Sequence, residues 1–279
     1  MAEKRCRVVM ELLGKSRVVV EDGKVVEISK PRLRYCPLFN KFLNIEQIDE
    51  EAVRKNIEFR IKDFGFATEN RVVRAPDYVT FGVSEILSTA IEKGELDAAV
   101  IVADGCGTAV VTEPAVLQGL CGRISGVIET DPLQVVLDAV GRDNVLDPDT
   151  TPIDQVKGAE LALKKGHGRF AVTVTCPGQA EEIRKLCGDR ALIVGVHTSS
   201  LSNNSASSMF RYCDIITACA SKVLREIAFS RDDILIAGNR VQMLGVTPFG
   251  KKLILDKLHS LGKGPWDGNT PTDDPAPWL

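Results

Sequence analysis

The chain has no apolar run of the length needed to cross a bilayer. Its basic N-terminal residues are not followed by an apolar segment of secretory type. Both absences predict a cytoplasmic protein without a membrane partner. It also lacks a basic excess: 35 Lys and Arg stand against 38 Asp and Glu, well mixed, for a net charge of −3. That balance excludes the basic face a nucleic-acid partner requires. None of the eight cysteines forms a C-x-x-C pair, and no two lie closer than six positions. Zinc-ribbon and ferredoxin spacings are therefore excluded, and in a reducing compartment the expectation is thiols rather than disulfides. Rossmann and P-loop fingerprints are missing, as is any internal repeat.

What is present suits a globular fold. At 279 residues, with 44% hydrophobic and 26% charged residues, the chain can bury a sizeable core without staples. Asp22-Gly23 between β-branched runs predicts a hairpin over 16–28, part of a small N-terminal β element. Val53, Ile57, Ile61 and Phe64 repeat at helical spacing between the N-cap Asp49 and the stop Gly65. A second helix is predicted over 83–93. Further helices are expected after Pro114, Pro132, Pro152 and Pro248, each a good first helical position. Short apolar strands over 98–103, 170–175, 192–196 and 214–218 alternate with these helices. The fold class expected is α/β: a mainly parallel sheet flanked by helices, with the small N-terminal hairpin element. Turn-rich residues 142–152 suggest a division into 1–145, 146–261 and an irregular tail at 262–279, or one compact domain. Trp266 and Trp278 predict that the tail docks on a surface.

Ligands bind outside the carboxyl ends of strands in open parallel sheets. All four strands run into polar or thiol-bearing turns there. Asp104-Gly105-Cys106-Gly107-Thr108 offers a carboxylate, two glycines for close backbone approach, and a hydroxyl. His197, Ser199 and Ser200 open a hydroxyl- and amide-rich segment extending to Ser208, read as a polar loop able to hold a phosphate or carboxylate. The ligand-binding set is thus Asp104, Gly105, Gly107, Thr108, His197, Ser199 and Ser200. Cys106, Cys176 and Cys219 also end strands and make a candidate thiolate set for a metal or iron–sulfur cluster, with Cys36 a fourth. The competing reading is that buried thiols behave as small hydrophobes. Cys121, Cys187 and Cys213 sit within apolar patterns and are expected in the core.

Several stretches resemble methanogenesis marker protein 8, an archaeal family. They are the opening hairpin, Tyr35-Cys36-Pro37-Leu38-Phe39, residues 56–65, residues 81–87, Asp104-Gly105-Cys106-Gly107-Thr108, and Gln118-Gly119 with residues 122–126. The resemblance carries no catalytic motif. It implies an anaerobic cytoplasm and a role supporting methane formation, through maturation of methyl-coenzyme M reductase or of a methanogenic cofactor. That enzyme or its maturation factors would be the partner. Three functions follow: a binder of a small anionic ligand or cofactor, a thiolate metal or redox protein, or a non-catalytic assembly factor. In the last, the basic helix over 50–64 and the tail would form the contact surface.

Overall fold

The computed structural model describes residues 6–36, 39–40, 43–76, 81–122, 124–238 and 241–268, with the backbone of Ala276–Pro277. Four strands open the fold: β1 (Arg7–Glu11), β2 (Arg17–Glu21), β3 (Lys24–Ile28) and the short β4 (Leu33–Tyr35). The β2–β3 turn is the predicted hairpin, with Asp22 and Gly23 both at positive φ. Helix α1 (Glu50–Phe64) follows. Asp49 caps it by accepting the Ala52 N–H at 2.7 Å, and left-handed Gly65 ends it. Its stripe of Val53, Ile57 and Phe64 is buried.

Next come α2 (Val83–Glu92), β5 (Ala98–Ala103), β6 (Gly107–Val111), α3 (Pro114–Cys121), β7 (Val127–Thr130) and α4 (Gln134–Val140). The chain continues through α5 (Gln155–Lys164), β8 (Phe170–Val174), α6 (Pro177–Cys187), β9 (Ala191–Gly195) and α7 (Asn203–Tyr212). It finishes with β10 (Ile215–Thr217), α8 (Lys222–Phe229), β11 (Leu235–Ala237), β12 (Met243–Gly245), α9 (Pro248–Ser260) and β13 (Ala276–Pro277), which pairs with β4.

The first sheet is antiparallel, in the order β3-β2-β1-β7. The second has seven strands in the order β11-β12-β10-β9-β8-β5-β6. Its centre is parallel, as expected: β5 pairs with β8, β8 with β9, and β9 with β10. Both flanks are antiparallel, however, so the sheet is mixed rather than mainly parallel. The physical cause is local. Only three residues, Asp104 to Cys106, bring β5 back onto β6, too few for the crossover a parallel strand needs. Strands from both sides of residue 145 share this sheet.

Successive residues of a strand face opposite layers. In β9, Leu192 and Val194 join a core with α1, α2, α3, α4, α9 and the antiparallel sheet. Ile193 joins a second core under α5, α6, α7 and α8. Fully burying such an aliphatic side chain contributes about 1.5–3 kcal/mol, so this alternation fixes the strand register. Trp266 lies against α8, its ring centroid 5.1 Å from that of Phe229, and its main-chain N–H donates to the Ile236 carbonyl at 2.9 Å. Trp278 lies outside the described residues. Among the described residues no helix is long and apolar enough to cross a membrane.

Candidate functional site at the strand carboxyl ends

Beyond β9 the Val196 N–H still bonds the Val174 carbonyl at 2.8 Å, and then the chain turns. His197 takes φ 55°, and its Nε2 lies 2.7 Å from Glu11 Oε1 at the end of β1. The β1–β2 turn brings Lys15 to the same carboxylate, with Nζ 3.5 Å from Glu11 Oε1. Lys15 Nζ also donates to the Ser199 carbonyl at 3.2 Å. The side chains of Lys15 and His197 are each 18% exposed and that of Glu11 27%, so the cluster is held yet reachable from solvent. Gly126 makes the fit tight. At φ +79°, a Cβ there would lie 2.3 Å from the Glu11 carbonyl oxygen and 2.9 Å from His197 Cε1.

A second loop locks onto the first. The Thr198 hydroxyl donates to the Thr217 carbonyl. Ala220 N–H donates to Ser199 Oγ at 3.3 Å, and Ser200 N–H to the Ala220 carbonyl at 3.2 Å. Arg225 Nη1 holds the Cys219 carbonyl at 3.0 Å. Positive φ at a non-glycine residue is uncommon and persists only where surroundings over-determine it. Lys15 (61°), His197 (55°), Ser200 (60°) and Cys219 (26°) all have it, on three segments that meet at this rim. Burial alone would raise the Glu11 carboxyl. The hydrogen bond and charge of His197, with Lys15, outweigh it and hold the carboxyl below its ordinary value.

The Asp104–Thr108 segment is built differently. It is the β5–β6 hairpin connection, and Asp104, Cys106 and Thr108 are fully buried. Both Asp104 oxygens lie 3.1 Å from Arg71 Nε, and Oδ2 also accepts the Ala67 N–H at 3.0 Å. Gly105 N–H donates to Thr130 Oγ1 at 2.8 Å. Gly107, at φ +60°, packs so closely that a Cβ would fall 2.2 Å from the Thr151 carbonyl oxygen. Thr108 Oγ1 lies 3.1 Å from Gln155 Oε1 and accepts the Asp154 N–H at 2.9 Å. Asp104, Gly105, Gly107 and Thr108, expected to line a ligand rim, are buried, with an antiparallel return strand and the 151–155 segment packed against them.

The thiols do not gather either. Cys106 is buried, and burial followed by the charge of Asp104 pushes its thiol above the ordinary value. Cys176 is exposed at the start of α6, Cys219 lies 3.2 Å from Thr217 Oγ1, and Cys36 packs half-buried against the larger core. Among the described residues no three His, Cys, Asp or Glu side chains are placed to hold a metal ion. Cys187 and Cys213 are buried as expected, whereas Cys121 is half-buried.

The polar loop is also shorter than its composition suggests. Ser202 Oγ accepts the Ser205 N–H at 3.2 Å and caps α7, whose Ala206, Met209 and Phe210 are buried. Its serines and asparagines are the cap and first turns of a helix. Sequence reasoning passed over Glu11 and Lys15. Their one local signal is Gly14-Lys15 between two β-branched runs.

An uncharacterized protein of Methanocaldococcus jannaschii is 43% identical over 262 residues, covering 92% of each chain. No solved structure matches the chain. A family model described as "Uncharacterized protein conserved in archaea (DUF2099)" matches residues 8–259, a span that holds Glu11, Lys15, His197 and Cys219, and the chain belongs to that family.

Proposed function

We infer that this protein binds a small anionic ligand, through a phosphate or carboxylate group, at the rim around His197. The observation that carries this reading is the meeting of Lys15 and His197 on the Glu11 carboxylate, beside a loop braced through Ser200 and the segment of Cys219, with left-handed backbone at all four residues. Such strain is retained where an arrangement serves binding or a switch. Glu11 positions the Lys15 and His197 side chains. Lys15 Nζ supplies a point charge, the imidazole a donor, and the exposed Ser200 hydroxyl a further donor. Ser199 braces the loop, since its Oγ and carbonyl are already engaged. On the resemblance to methanogenesis marker protein 8, the ligand we propose is a metabolite or cofactor of methane formation. By the same reading the bound form serves the maturation of methyl-coenzyme M reductase or of a methanogenic cofactor.

Calorimetric titration with inorganic phosphate and with citrate tests the site. A charged hydrogen bond contributes about 1.5–3 kcal/mol, so Lys15→Ala should weaken binding by about tenfold or more. Ser200→Ala should cost less and leave the melting temperature unchanged, because the hydroxyl is exposed. Equal affinity in the parent and Lys15→Ala would remove this assignment.

A further inference from the structure

The opposite end of the sheet carries a second concavity. A groove of about 430 Å³ opens where β9 and β10 begin, walled by α6, α7 and the start of α9. Its volume lies within the range of small-ligand pockets, about 300–1,000 Å³. The floor is a fixed ion pair. Arg184 Nη2 lies 2.6 Å from Asp214 Oδ2, and the same guanidinium donates to the carbonyls of Tyr212, Gly188 and Ala191. Asp214 is otherwise satisfied by Ile193 N–H at 2.7 Å and Thr247 Oγ1 at 2.7 Å. The floor therefore has no acidic oxygen left for a cation.

The walls carry the opposite message. Arg169 stacks its guanidinium 4.6 Å from the Phe249 ring centroid, and Arg211 stacks at 5.3 Å from that of Tyr212. The charge of Asp97 reaches the Arg169 guanidinium and that of Glu181 reaches Arg211, each from beyond ion-pair distance. Asp97, beside Arg169, accepts the main-chain N–H groups of Gly168 and Arg169 at 2.7 and 3.0 Å rather than the guanidinium. Asp189, on the rim, is fully exposed and leans to Arg184 at 3.7 Å. The groove thus pairs aromatic faces with two guanidiniums that donate to no described residue. The first N-terminal turn of the 13-residue α9 borders it and adds a positive end.

From this juxtaposition we propose that the amino-end groove is a second binding site, taking a planar aromatic ring that carries an anionic group. The ring would lie against Phe249 and Tyr212, and the anion would bridge Arg169 and Arg211. Guanidinium planes suit this double task, because they stack on rings and grip phosphate or carboxylate with paired donors. This site is independent of the rim, which lies at the other end of the same strands.

Calorimetry of the full chain bearing Lys15→Ala, which takes away the phosphate binding proposed at the rim, tests the proposal with phenyl phosphate and adenosine monophosphate, and with phenol, adenosine and inorganic phosphate as partial probes. Both aromatic phosphates should bind, and each partial probe should bind at least about tenfold more weakly, or about 1.4 kcal/mol. Arg169→Ala and Arg211→Ala should each weaken the aromatic phosphates by a similar factor. Both residues are exposed, so the melting temperature should stay put. His197→Ala should leave this binding intact. Three results would overturn the site: no aromatic phosphate bound at millimolar concentration, inorganic phosphate binding as tightly as phenyl phosphate, or loss of binding in His197→Ala but not in the arginine variants.

Discussion

Replacing Asp104 by Ala separates a structural carboxylate from a ligand-binding one. Its partner Arg71 is fully buried, as is Asp104 itself. Arg71 has few alternatives: it donates to the Val72 carbonyl at 2.7 Å and the Leu120 carbonyl at 3.4 Å, and it stacks 5.1 Å from the Phe64 centroid. Removing the carboxylate leaves a guanidinium charge buried without compensation and the Ala67 N–H without its acceptor. Breaking a buried pair from one side costs about 3–5 kcal/mol. At roughly 2–4 °C per kcal/mol for a chain of this size, the melting temperature should fall on the order of 10 °C. Arg71→Met with Asp104→Leu should recover much of the loss, because desolvating two charges offsets most of their attraction. Thermal and urea unfolding of the parent, both single variants and the double variant make the test. A loss under about 1 kcal/mol in Asp104→Ala, accompanied by weaker anion binding, would refute the structural role and return the residue to the ligand site.

Three further outcomes are expected. Gly107→Ala should destabilise by about 1–3 kcal/mol through the Thr151 clash, with added strain from positive φ, as read by urea unfolding; unchanged stability would contradict the packing. The Glu11 carboxyl is held low in the folded chain, so its contribution is present above the unfolded value of about 4.3 and is lost as pH falls through the lower folded value. Glu11→Gln should therefore flatten the acid limb of melting temperature against pH below the unfolded carboxyl value of about 4.3, and parallel curves for parent and variant would contradict it. Brief alkylation of the native protein followed by mass spectrometry should mark exposed Cys176 first and spare Cys106 and Cys213; early labelling of Cys106 would mean that the β5–β6 turn opens.

Much of the fold was legible because its signals are local. Asp22-Gly23 demands a hairpin, Asp49 and Gly65 bracket α1, and the short apolar strands are the parallel centre of the second sheet. The antiparallel flank was not legible. Thr108-Ala109-Val110-Val111 reads as an apolar run, but nothing local says whether it returns on β5 or leads to a helix. The same gap hid the Arg71 partner of Asp104, since an acidic residue ending a buried strand looks alike whether an arginine or a ligand receives it. His197 was legible as a strand-end residue. Its partners were not, because Glu11 and Lys15 lie more than 180 positions away and only the tertiary fold brings them near. The serine-rich stretch misled for a physical reason: the hydroxyls that suit ligand binding are also the ones that cap helices.

The central claim is that the rim around His197 is built to hold an anion. Crystals grown with selenate or tungstate would locate bound anions by anomalous scattering. The account predicts a peak within about 3.5 Å of Lys15 Nζ or the Ser200 hydroxyl, beside the His197 ring, and its disappearance in Lys15→Ala. Anion density confined to other surfaces, with the rim empty at concentrations where calorimetry shows saturation, would contradict it.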